Sequence, residues 1–117
     1  MTKVEMQKIV EKMNLKNLTP DVSLEDRAVG VPDTNRPALQ LTGFFEHFDY
    51  KRVQIIGYVE YTFLKTVDEK EKERIYDTLL SYQIPCIVFC RDLQPEPMLL
   101  EKANERQVPV FSTNVKT

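Results

Sequence analysis

Apolar and polar positions alternate along this chain in two rhythms. Met6, Ile9, Val10 and Met13 fall at i, i+3, i+4 and i+7, one face of a helix. Thr2 and Glu5 have the spacing of a capping box in front of it, and Asn14 suits its end. Residues 16–26 are polar, with Thr19-Pro20-Asp21 as a turn signal. Arg27 to Val31 reads as a weak strand stopped by Pro32. Pro32 to Pro37 reads as a loop. In it Thr34 or Asn35 is placed to cap a short helix over 37–42, closed by Gly43.

From Val53 onward the rhythm is that of alternating strands and helices. Val53 to Gly57 is a buried strand, and Glu60 to Leu64 a short helical turn. Asp68 to Arg74 is a run of charges, read as the solvated first turns of a helix. The pairs Ile75/Leu79 and Tyr76/Leu80 supply that helix's inner face. Residues 86–90 form the next strand. Pro97 to Arg106 is a helix with Leu99, Leu100 and Ala103 inward, and Pro109 to Ser112 is the last strand. Strand, helix, strand, helix, strand favours a parallel sheet covered by helices. The expectation is a single α/β domain over residues 1–117, an open parallel or mixed sheet with helices on its faces. The chain reads either as a whole domain or as one cut from a longer protein.

Composition narrows the partners. The 117 residues suit one domain, and a net charge of −2 argues against a general affinity for nucleic acid or an anionic membrane; a local basic patch stays open, though no Lys/Arg cluster advertises one. No apolar run is long enough to span a bilayer, and no signal-length core follows the first methionine. A cytoplasmic location is the expectation. Cys86 and Cys90 lie on one predicted strand, about 13 Å apart at the rise of an extended chain. A disulfide spans less than about 7 Å. Both are read as buried, reduced and small.

Candidate chemistry is sparse. Gly30, Gly43 and Gly57 are too far apart for a P-loop or a dinucleotide-binding fingerprint. His47 is the single histidine and sits in a polar loop between aromatics, which suits a surface or packing role. No metal set is visible. Glu60 and Asp92 each follow a strand and are read as helix-start residues, Asp92 capping a helix after Leu93. Arg36 and Arg91 are the cations to watch. Arg91 ends a strand on the side where open α/β sheets bind ligands, and Arg36 follows Asn35 in the proline-bounded loop. Either could meet a phosphate or carboxylate, and either could form a structural salt bridge. Asn35, Arg36 and Arg91 are the candidate ligand contacts; there is no candidate catalytic or metal residue. Phe44, Phe45 and Phe48 are core residues or an interaction surface.

Four segments in order also carry a resemblance. They are Thr34-Asn-Arg-Pro-Ala-Leu-Gln-Leu-Thr-Gly-Phe-Phe45, Arg52-Val-Gln-Ile-Ile-Gly57 with Glu60, Pro85-Cys-Ile-Val-Phe-Cys-Arg91 with Leu93 through Leu100, and Pro109-Val-Phe-Ser-Thr113. Together they resemble the N-terminal domain of bacterial HPr kinase/phosphorylase almost end to end. That family carries Ser-Arg-Pro-Gly, then Gly-x-Thr-Glu after a strand, then Pro-Cys-Ile-Ile-Val-Thr-Arg-Gly-Leu. Ala38 stands where the family has glycine, and Tyr58-Val59 where it has Lys-Thr. The resemblance implies an α/β domain like the N-terminal domains of Mur ligases. It implies a parent enzyme of carbon catabolite regulation that phosphorylates a serine of HPr and removes the phosphate by phosphorolysis. ATP or pyrophosphate and Mg²⁺ would belong to that parent's catalytic domain, and this chain would hold no cofactor. The implied partners are the catalytic domain of the same polypeptide, HPr through the parent, and further copies in a homo-oligomer. The alternative is a stand-alone module binding a nucleotide or phospho-metabolite, or another protein.

Overall fold

The computed structural model describes residues 4–5, 15–20, 22, 28–29, 34–35, 37, 45, 48, 50, 52–82 and 84–114. Seven strands and three helices lie among them: β1 (Val4–Glu5), β2 (Lys16–Asn17), β3 (Ala28–Val29), β4 (Thr34–Asn35), β5 (Val53–Ile56), α1 (Tyr58–Leu64), α2 (Glu69–Ser81), β6 (Ile87–Phe89), α3 (Pro97–Arg106) and β7 (Val110–Ser112). β1 and β3 form a two-stranded antiparallel pair. The other five make one mixed sheet in the order β2-β7-β6-β5-β4. β4 to β7 run parallel, and β2 closes the far edge antiparallel to β7.

The sheet has two apolar faces because strand side chains alternate. Ile55, Val88 and Phe111 share one register row. With Leu15, Val53, Cys86 and Cys90 they build the core of one face. Ile56, Ile87, Phe89 and Val110 face the other way, under Ile75, Tyr76, Leu79 and Leu80 of α2 and Leu99 and Ala103 of α3. Parallel neighbours need crossovers, and β5, β6 and β7 step across the sheet in one direction. Successive right-handed crossovers then put their helices on the same face, and α2 and α3 pack side by side. Lys102 of α3 reaches Asp77 of α2 at 2.8 Å.

Both long helices match the sequence. Asp68 caps α2 by accepting the Glu71 N–H at 3.0 Å. Pro97 opens α3, and Gln107 ends it at φ 57, the left-handed turn glycine usually supplies. Cys86 and Cys90 are buried free thiols. Phe48 is core: it meets Tyr82 edge-on at 4.9 Å, and half-buried Phe45 stacks on the same ring at 5.7 Å. Phe44 and His47 lie outside the described residues.

Several expectations fail. Glu5 does not cap a helix; Val4–Glu5 pairs with Ala28–Val29, and strand pairing satisfies backbone groups that a four-residue local signal cannot. The helix over Met6 to Met13 lies outside the described residues. Thr34–Asn35 is a strand, not a loop or cap, because β5 offers an unpaired edge that β4 fills. The short helix over 37–42 is outside the described residues, apart from buried Pro37. Asp92 caps nothing: α3 begins at Pro97 with Glu96 before it. Pro95 and Pro97 each disfavour helical geometry in the residue ahead of them, which delays the start. Lys72, inside the charged run, is 7% exposed rather than solvated. Its ammonium donates to both carboxylate oxygens of Glu96, at 2.8 and 2.9 Å.

Candidate functional site

The C-terminal ends of β5, β6 and β7 form one edge of the sheet, and the sequence candidates are to be judged there. At the end of β5 the chain turns directly into α1. Gly57 donates its N–H to Glu60 Oε1 at 2.7 Å, and its carbonyl accepts from Tyr61 at 3.0 Å. Helix starts leave backbone donors without partners, and the Glu60 carboxylate satisfies one of them from a buried position. Glu60 is therefore a structural anchor at the strand-to-helix corner. Glu60→Ala is expected to cost about 1–2 kcal/mol in urea unfolding, and Glu60→Gln much less, because glutamine keeps the acceptor.

At the end of β6 a tight turn follows. Leu93 donates its N–H to the Cys90 carbonyl at 3.1 Å, and the central residues Arg91 and Asp92 sit at φ 56 and 55. Two consecutive left-handed residues closing an i to i+3 bond are the mark of a mirror-image turn. The motif that this segment resembles carries glycine where Asp92 stands, which suits a left-handed backbone there. Asp92 donates its N–H to the Thr113 carbonyl at 2.9 Å, tying the turn to the end of β7.

This turn presents Arg91 to solvent. Its guanidinium lies 6.0 Å from the centre of the Tyr58 ring, the outer limit of a cation–π contact. Tyr58 and Val59 are 59% and 66% exposed. They are the two residues that depart from the family's Lys-Thr, so the departure puts apolar surface beside the arginine. That proximity was not read from the sequence; the Tyr58-Val59 substitution was its only signal.

The three candidates are not shown to converge. Asn35 ends β4 opposite Gln54, in the middle of β5 and one strand away from β6. Arg36 lies outside the described residues. β4, β5, β6 and β7 follow one another without a reversal of order. Among the described strands there is thus no switch point of the kind at which doubly wound sheets open a ligand crevice. Arg91 stands at the correct end of the sheet, beside the exposed Tyr58 ring. No three His, Cys, Asp or Glu side chains converge among the described residues. No helix among the described residues is long and apolar enough to cross a membrane.

Comparison with known proteins gives consistent matches. A family model described as "HPr Serine kinase N terminus" matches residues 4–117. The HPr kinase/phosphorylase of Lachnoclostridium phytofermentans is 46% identical over 114 residues, covering 97% of this chain and 37% of that protein. That of Alkaliphilus metalliredigens is 36% identical over 119 residues, covering 100% of this chain and 38% of that protein. The chain thus spans little more than a third of the length of these relatives. Among solved structures, the CBS and DRTGG domains of the regulatory region of Clostridium perfringens pyrophosphatase, complexed with the activator diadenosine tetraphosphate, superpose with a TM-score of 0.63 at 14% identity. The superposition covers 97% of this chain and 43% of that one. It is a likeness of fold alone.

Proposed function

Because the chain belongs to the HPr serine kinase N-terminal family, we propose that it is the accessory, regulatory domain of a bifunctional HPr kinase/phosphorylase and is not catalytic by itself. The observation that carries this reading is the end-to-end match to relatives of which it covers little more than a third. In this reading ATP, pyrophosphate and Mg²⁺ act on the catalytic domain of the same polypeptide. HPr meets the protein through that domain, in the cytoplasm, in a parent that assembles as a homo-oligomer. Glu60, the one buried carboxylate at this edge among the described residues, accepts the Gly57 N–H at the start of α1, which supports a structural role for it.

A second reading has one observation in its favour. Arg91 is exposed at the C-terminal end of β6 and forms no ion pair among the described residues. A module that binds a nucleotide or phospho-metabolite would use it as an anion contact, with Asn35 and Arg36 as the proposed further contacts.

Phosphate transfer separates chemistry from accessory function. The 117-residue chain, incubated with HPr, ATP and Mg²⁺, is expected to leave HPr without phosphoserine by mass spectrometry. Stoichiometric transfer by this chain alone would overturn the proposal.

A further inference from the structure

A second feature of the fold lies on the helix-covered face of the sheet. α1, α2, β6 and the segment leading into α3 line a half-open cavity of about 210 Å³, bounded by Tyr61, Leu64, Lys65, Lys72, Tyr76, Phe89, Pro95 and Glu96. We propose that this cavity binds a small organic anion built on one flat ring, the ring held among Tyr61, Tyr76 and Phe89 and its charge met by Lys65.

Size sets the first limit. An apolar cavity of about 150 Å³ accepts benzene. A volume of 210 Å³ adds room for one short substituent and is too small for a whole nucleotide.

The walls are held in place before any ligand arrives. Tyr61 donates its hydroxyl to the Gln94 carbonyl at 2.8 Å. Its ring meets Phe89 edge-on at 6.4 Å. Tyr76 donates its hydroxyl to Glu96 Oε1 at 3.2 Å. Fixed aromatic walls lose little freedom when a ring enters between them.

Charge decides the sign of the ligand. Three aromatic rings beside a carboxylate would suit a quaternary ammonium ion. Here, however, Glu96 is already answered by the buried ammonium of Lys72 through two short bonds. Lys72 also lies 3.6 Å from exposed Glu69. Lys65 is the remaining charge in the lining. It is exposed, sits 4.9 Å from the centre of the Tyr61 ring, and has no ion-pair partner among the described residues. The Tyr61 ring holds that ammonium at the mouth while leaving N–H donors for an incoming carboxylate. A mainly aromatic lining whose Lys72–Glu96 pair is closed on itself, with Lys65 as the one cation left without an ion-pair partner among the described residues, fits an aromatic carboxylate better than a neutral ring or a cation. The inference rests on the cavity and not on family membership.

The test uses three probes with the same ring: sodium benzoate, benzyl alcohol and benzyltrimethylammonium. Each is titrated at constant ionic strength into the ¹⁵N-labelled 117-residue chain, and amide shifts are followed. Benzoate is expected to give saturable shifts centred on Tyr61, Lys65 and Glu96. Benzyl alcohol should bind more weakly and the cation not at all. Lys65→Met should weaken benzoate about fivefold, the scale of one exposed charge pair, with no change for benzyl alcohol and an unchanged fold. Lys65→Arg should restore most of the loss. Non-saturating or scattered shifts, equal binding of the three probes, preference for the cation, or an unaffected Lys65→Met variant would each overturn the proposal.

Discussion

Replacing Phe111 with alanine is expected to cost about 3–5 kcal/mol of stability, the range for emptying a large aromatic site in a packed core. Phe111 is fully buried in β7, between β2 and β6. It follows Ile55 and Val88 in one register row, beside Asn17 of β2, and contributes the one aromatic ring among the described buried residues of that face. The neighbours are strand residues held by backbone pairing on both sides, so the site has little freedom to collapse. Phe111→Leu keeps most of the volume and should cost well under half as much. Urea unfolding at constant slope reads both values. A loss below about 1 kcal/mol for Phe111→Ala would mean that this face is not the packed core described here.

Raising the pH should unfold the domain well before general alkaline damage. Burial pushes the Cys86 thiol up to about 12. Burial first, and the Glu96 carboxylate second, push the Tyr76 phenol far above its ordinary range. In the unfolded chain these groups lose their protons near pH 8.5 and 10. Between those values and the native ones, the native state binds more protons than the unfolded state. Stability is therefore whole below about pH 8.5 and falls as pH rises, by about 1.4 kcal/mol per pH unit for each group. From roughly pH 10 to 12 both act, for a loss of up to about 5 kcal/mol. Lys72 works in the same direction: its bond to Glu96 holds its proton above the usual lysine range despite burial. Tyr76→Phe removes the phenol and should flatten the slope above pH 10 by about one group's share. A stability that stays level from pH 8.5 to 12 would contradict the burial of both groups.

Much of the second half was legible because its signals are local. The i, i+4 pairs of α2, the proline opening α3 and the apolar runs of β5, β6 and β7 all place the right elements. What was not legible depends on partners distant in sequence. Lys16–Asn17 is polar and exposed, and becomes a strand because Phe111 and Ser112 pair with it. Thr34–Asn35 becomes one through Val53 and Gln54. Lys72 looks like any lysine in a charged run until Glu96, across a crossover, covers it. Asp92 is a residue that tolerates left-handed geometry, but Arg91 is not, so its identity does not announce a left-handed turn. The edge site was legible in part: Arg91 falls where the alternation places it, while its neighbour Tyr58 comes from the geometry of the β5–α1 corner. The cavity beside Lys65 had no sequence signature, since its lining comes from α1, α2, β6 and the segment before α3, which are separate in sequence.

We propose that this chain serves as the front portion of a longer kinase/phosphorylase, and the size of the native protein in its source cells, by immunoblot with an antibody raised against this domain, decides it. A band well over twice 13.7 kDa is expected. A band at 13.7 kDa would overturn the proposal.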